Sequence, residues 1–128
     1  MNKCKSLYTQ KMLEFHKAFG VPFKEQASLI PNHDFIRRLT LITSEVGELG
    51  DAIRTRDLLK IADAIGDLLY VTFGMATEMG IDIDAIFTEI HRSNMTKIGP
   101  DGSIHKDVGG KILKPATYSP ANLKPLLT

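Results

Sequence analysis

Along the first 97 residues, apolar positions return every three or four places, which is the period of a helix. Tyr8, Met12, Phe15 and Phe19 form one stripe, and Gly20 is placed to end that helix. Pro22 and Pro31 bracket a loop. Asn32 or Asp34 can cap a second helix, in which Phe35, Leu39, Ile42, Val46, Leu49 and Ile53 form a long core-facing stripe. A third helix is predicted from near Asp57 to about Met79, closed by Gly80. Its apolar residues, from Leu58 and Leu59 through Ile61, Ile65, Leu68 and Leu69 to Met75, surround the axis, which predicts burial on most sides. Asp82 or Asp84 can cap a fourth helix carrying Ile83, Ile86, Phe87 and Ile90 and ending near Met95. Alternation at period two is absent outside the last thirty or so residues. The expected fold is all-α, an antiparallel four-helix bundle.

Length and composition narrow the class. A chain of 128 residues, 43% apolar and 24% charged, is expected to form one domain over 1–128, with a helical core at about 5–97 and a tail at 98–128. Residues 1–97 carry twelve basic and thirteen acidic residues. The tail carries four Lys and two Asp, four of the six prolines and four of the ten glycines, so it reads as a basic, turn-rich extension. A formal net charge of +1 recommends neither nucleic acid nor an anionic membrane as partner. The single cysteine, Cys4, leaves no intramolecular disulfide, and no zinc-type Cys/His spacing occurs, which fits a reducing cytosol. No signal-peptide core follows Met1–Lys5, and the most apolar stretch, Leu68 to Ala76, is far shorter than the roughly 20 residues of a spanning helix. The expectation is a cytoplasmic protein.

The chemistry lies in the carboxylates. Glu45 and Glu48 are three residues apart and share a helix face, and neither has a basic residue three or four positions away. Asp51 differs, because Arg54 stands at a pairing distance. Asp63 and Asp67, four apart, interrupt the most apolar helix of the chain. Like charges so placed repel, and when buried they take up protons unless something compensates them. A hard divalent cation, Mg²⁺ or Mn²⁺, would do so. The same spacing also fits a solvated helix face. A di-iron bundle calls for Glu-x-x-His, whereas Glu14 with His16 and Glu89 with His91 are only two apart. His16, His33 and His105 have no ligand spacing, and Gly47, Gly66 and Gly74 inside helices are expected to permit close helix approach near the site.

Taken in order, Glu45-x-x-Glu48, Asp67 with Leu68-Leu69-Tyr70-Val71, and the run Glu89-Ile90-His91-Arg92-Ser93-Asn94-Met95-Thr96-Lys97 resemble the all-α nucleoside triphosphate pyrophosphohydrolases. That superfamily is the MazG-like and phosphoribosyl-ATP pyrophosphohydrolase-like one, and the likeness is closest to its small single-domain members. The tail elements Asp101-Gly102, Gly110-Lys111-Ile112-Leu113-Lys114-Pro115 and Tyr118-Ser119-Pro120 continue the resemblance, which spans roughly residues 8–120. Two positions depart from the pattern. Ser44 precedes Glu45 where the family often has a second glutamate, and Ala64 stands where the second element commonly has one. Asp63, still on the face of Asp67, is the expected substitute.

The resemblance implies Mg²⁺-dependent cleavage of a nucleoside triphosphate between its α- and β-phosphates, with Mn²⁺ as a possible substitute. It implies Glu45, Glu48 and Asp67, joined by Asp63, as metal ligands, Glu45 and Glu48 as catalytic groups, and a homodimer or dimer of dimers. Asn94 and Lys97, one helical turn apart, and Lys114 and Tyr118 of the tail are the expected substrate contacts. No Walker loop is present, since Gly109-Gly110-Lys111 lacks the upstream glycine, so phosphate binding is left to metal and lysine. Two alternatives stand beside this reading: hydrolysis of phosphoribosyl-ATP, and a catalytically silent nucleotide-binding helical oligomer.

Overall fold

The structure, a computed structural model, describes residues 4–128. Four α-helices appear in the order expected: α1 Leu7–Phe19, α2 Asn32–Thr55, α3 Leu58–Met79 and α4 Ile83–Met95. Among the described residues the extended structure is limited to one isolated antiparallel bridge, Lys106 with Ile112, in the tail. The all-α class is therefore as read from the sequence. The described residues form two compact units, one ending at Ile83 and one running from Asp84 to Thr128.

In the first unit local chemistry sets the helix ends. The Ser6 hydroxyl accepts the Thr9 N–H at 3.2 Å at the start of α1, and the Asp57 carboxylate accepts that of Lys60 at 3.2 Å at the start of α3. Gly20 and Gly80 end α1 and α3 with φ of 65° and 71°, in the left-handed region glycine enters without cost. The start of α2 differs from expectation. Pro31 occupies the cap, its carbonyl accepts the N–H groups of Asp34 and Phe35, and Asn32 is already helical. Proline commits the chain to the helix entry without a side-chain oxygen. Arg56, the one non-glycine residue at positive φ among those described, ends α2 at φ 53°. Only Arg56 and Asp57 separate α2 from α3, so the two helices run antiparallel.

The buried face of α2 is displaced from the stripe expected for it. Phe35, Ile42 and Leu49 are half-buried, but Leu39, Val46 and Ile53 are more than half exposed. The inward line instead carries Arg38, Glu45 and Ala52, seven residues or two turns apart. Arg38 and Ala52 are buried and Glu45 is half-buried. On α1, Met12 and His16 are the buried pair, with His16 Nδ1 2.9 Å from the Pro22 carbonyl. Phe15 packs on Phe19 with the rings tilted, 4.5 Å between centres, and meets Tyr70 edge-on at 5.5 Å. Helix α3 is not buried on most sides within this chain: Leu58 and Leu59 are about 80% exposed, and Ile65, Leu69 and Tyr70 are also open. The chain folds too few partners around an axis that is apolar all round.

Glu78 near the end of α3 is 1% exposed and takes Arg38 on one oxygen, at 2.5 Å, and Arg37 on the other, at 2.9 Å. Gly74 makes room for this pair, because a Cβ there would lie 2.7 Å from Arg38 Nη1. A Cβ on Gly47 or Gly66 would meet nothing within 4 Å, so those two glycines do not mediate the close approach expected of them.

In the second unit the tail is tied to α4. Arg92 bonds both oxygens of Glu89, at 2.9 and 2.8 Å, and reaches the Ser119 hydroxyl and the Pro120 carbonyl, each at 3.1 Å. The Ser93 hydroxyl donates to the Ser119 carbonyl at 2.7 Å, and the Thr96 hydroxyl accepts the Ser119 N–H at 2.8 Å. The Asn122 N–H donates to Glu89 Oε1 at 2.9 Å. Arg92 and the Asn122 amide hold the Glu89 carboxyl down at about 2.

Candidate metal centre

The turn at Arg56 and Asp57 sets the height of the acids. Glu45 lies ten residues before the end of α2 (45 to 55) and Asp67 nine residues after the start of α3 (58 to 67). At about 1.5 Å of rise per residue both stand at the same level on antiparallel helices. Glu45, Glu48 and Asp67 each offer one oxygen, and these three lie within 4.8 Å of one another. Asp63 stands outside that group, one turn nearer the start of α3, and lines a neighbouring cleft together with Glu48.

Glu45 shows what the arrangement lacks. Its Oε2 is buried without a hydrogen-bond partner, alone among the buried side-chain polar atoms described. Burial raises its pKa, and so do the hydrogen bond with Glu48 and the charges of Glu48, Asp67 and Asp63. A buried carboxylate oxygen left without a donor is unfavourable, because it gives up water and gains no partner. The charged groups that act on it, Glu48, Asp67 and Asp63, are all acids, and among the described residues no donor reaches its Oε2. Hard oxygen donors converging at this spacing from two rigid helices suit a divalent ion such as Mg²⁺ or Mn²⁺.

The four substrate-side candidates belong to the second unit. Asn94 is exposed and Lys97 half-buried, at the end of α4. Lys114 Nζ lies 4.9 Å from the centre of the Tyr118 ring, a cation–π contact, and Tyr118 Oη is hydrogen-bonded with Ser93 Oγ at 3.1 Å. Lys114 and Tyr118 thus meet, while Arg92, Ser93 and Thr96 of the same run hold the tail.

The Arg38–Glu78 pair was not among the features expected from the sequence. Its signal was present, because Arg38 falls three after Phe35 and four before Ile42, on the apolar face.

The fold and the acid cluster together define a helical protein with three carboxylate oxygens drawn close together on two antiparallel helices. The sequence profile of the family described as phosphoribosyl-ATP pyrophosphohydrolase matches residues 12–94, and the chain belongs to this family. It is also 34% identical over 113 residues to an uncharacterized protein of Acanthamoeba polyphaga mimivirus. That alignment covers 84% of this chain but 45% of the viral protein, so the chain spans less than half the length of that relative. Among the described residues no helix is long and apolar enough to cross a membrane.

Proposed function

We propose that the protein is a Mg²⁺-dependent pyrophosphohydrolase of nucleoside triphosphates. Water adds at the α-phosphorus, the α–β phosphoanhydride bond breaks, and a nucleoside monophosphate and pyrophosphate leave. The observation that carries this reading is the convergence of Glu45, Glu48 and Asp67 around a buried oxygen without a partner, in a chain of this family. Glu45, Glu48 and Asp67 would hold the ion, with Asp63 supporting it from the next turn. A divalent ion supplies charge neutralisation at phosphate oxygens in such chemistry. Glu45 and Glu48 accept hydrogen bonds from the attacking water and orient it. Asn94, Lys97, Lys114 and Tyr118 are the proposed substrate contacts, the lysines acting as point charges.

Phosphoribosyl-ATP is the second reading, favoured by the family match itself. It presents the same α–β phosphoanhydride, so one assay separates the two. Pyrophosphate release is measured with Mg²⁺ over a panel of ribo- and deoxynucleoside triphosphates and phosphoribosyl-ATP. Turnover of a nucleoside triphosphate that stops in EDTA and in Glu48→Gln is the expected result. Release of single phosphate, or turnover unchanged in EDTA, defeats the mechanism, and no turnover of any substrate leaves the silent oligomer.

Self-association belongs to the same proposal, as a homodimer or dimer of dimers. Leu39, Val46 and Ile53 repeat every seven residues as an exposed apolar line on α2, and Leu58, Leu59, Ile65 and Leu69 are exposed on α3. Lines of this spacing suit the helices of a second copy. Sedimentation at micromolar concentration tests it: an active monomer would refute the assembly.

A further inference from the structure

A cleft of about 220 Å³ opens between the α2–α3 turn and the acid cluster. Its floor is small, made by the buried Ala52 and Ala64, and one wall is Glu48, the same side chain that belongs to the three-carboxylate group. The cleft is therefore continuous with the candidate metal centre. Asp63 and Thr55 face it, and Lys60, from the first turn of α3, is the one cationic residue that lines it. Asp51 also lines it, but its carboxylate is taken by Arg54.

The Lys60 ammonium is loosely held. Its ion pair with Asp57 is 4.0 Å long, the Asp57 carboxylate is already engaged by the Lys60 backbone N–H, and the lysine side chain is 69% exposed. A ligand that fits must offer anionic oxygens to Lys60 and reach the acids near Glu48 only through a bridging cation. A phosphate chain carrying a divalent ion meets both conditions, whereas a bare anion would face Glu48 and Asp63 unshielded. We infer that Lys60 is a phosphate-binding residue, holding the outer phosphates of the substrate, the part released as pyrophosphate, in the cleft beside Glu48. This rests on the proposed hydrolysis, and it adds a cation that sequence reasoning did not single out.

Calorimetric titration with magnesium pyrophosphate tests it on the wild type, Lys60→Met and Lys60→Arg, alongside titration with Mn²⁺ alone. Loss of one charge-assisted contact should weaken pyrophosphate binding by about tenfold to a hundredfold in Lys60→Met. Lys60→Arg should keep most of the affinity, since the charge remains. Mn²⁺ affinity should be unchanged or tighter in Lys60→Met, because a cation beside the acids has been removed. Equal pyrophosphate binding by Lys60→Met and wild type overturns the inference, as does parallel loss of Mn²⁺ and pyrophosphate, which marks a structural role. A wild type that does not bind magnesium pyrophosphate also overturns it. If the wild type binds magnesium pyrophosphate through Lys60 yet cleaves no substrate, the hydrolysis reading fails and the phosphate site stands.

Discussion

Helices α2 and α3 hold a glutamate against their shared core at each of two levels, and the two are treated oppositely. Glu78 is 1% exposed and meets Arg38 and Arg37. Glu45, on the same inward line of α2 as Arg38, meets Glu48, Asp67 and the charge of Asp63, and one of its oxygens has no partner. The Arg38 level is closed on itself, and its charges hold the helices in register. The Glu45 level is open, because among the described residues no hydrogen-bond donor reaches the buried Glu45 oxygen. Burial of a carboxylate by itself does not mark a binding site, as the paired Glu78 shows; what sets Glu45 apart is that the groups acting on it are other acids.

The same substitution, glutamate to glutamine, should therefore have different effects at the two levels. Glu78→Gln leaves Arg38 buried without its counter-charge and is expected to cost about 3–5 kcal/mol in chemical denaturation. Replacing both partners, Arg38→Met with Glu78→Met, should recover much of that loss. A Glu78→Gln protein as stable as wild type would dissolve the comparison.

At the open level Glu48→Gln and Glu45→Gln should each weaken Mn²⁺ binding by about a hundredfold or more and abolish pyrophosphate release. Neither should destabilise the protein in EDTA, since each removes a repelled charge. The pH dependence follows the same logic. Because the folded state raises the pKa of Glu45, the folded protein binds more protons than the unfolded chain above the ordinary glutamate range. In EDTA the Glu45 contribution to stability should thus be lost as pH rises through that raised value, and Glu45→Gln should flatten the decline. With Mn²⁺ present the decline should vanish, because the ion binds the deprotonated form.

Asp63→Asn sharpens the boundary of the open level. If Asp63 supports the ion from outside the group of three, Mn²⁺ affinity and rate should fall by about tenfold. Wild-type behaviour in Asp63→Asn together with an inactive Asp67→Asn would leave three carboxylates as the whole donor set.

The smallest effect is expected at Glu89, a half-buried counterpart of Glu78. Its folded pKa is lowered to about 2 by Arg92 and the Asn122 amide. Its contribution is then complete above the ordinary glutamate value and is lost as pH falls toward about 2. Glu89→Gln should release the tail from α4, seen as faster amide exchange at Ser119 and Asn122, with little change in helix content. Unchanged exchange would show that Ser93 and Thr96 hold the tail alone.

What the sequence determined by itself was local. Helix ends at Gly20, Asp57 and Gly80 follow from a side-chain cap and from glycine's freedom at positive φ, and these need no partner helix. The shared faces of Glu45 with Glu48 and of Asp63 with Asp67 follow from 3.6 residues per turn. Tertiary structure alone decided which side of each helix turned inward. The line through Leu39, Val46 and Ile53 is more apolar than the one that was buried, so periodicity alone points it inward, yet it lies exposed. The choice fell to the line of Arg38, Glu45 and Ala52 where α2 meets α3, with Glu78 there to receive Arg38. The register across the Arg56–Asp57 turn then brought Asp67, rather than Asp63, within reach of Glu45 and Glu48. Distances between helices depend on how side chains interlock across the interface, and the periodicity of a single helix contains no information about its neighbour.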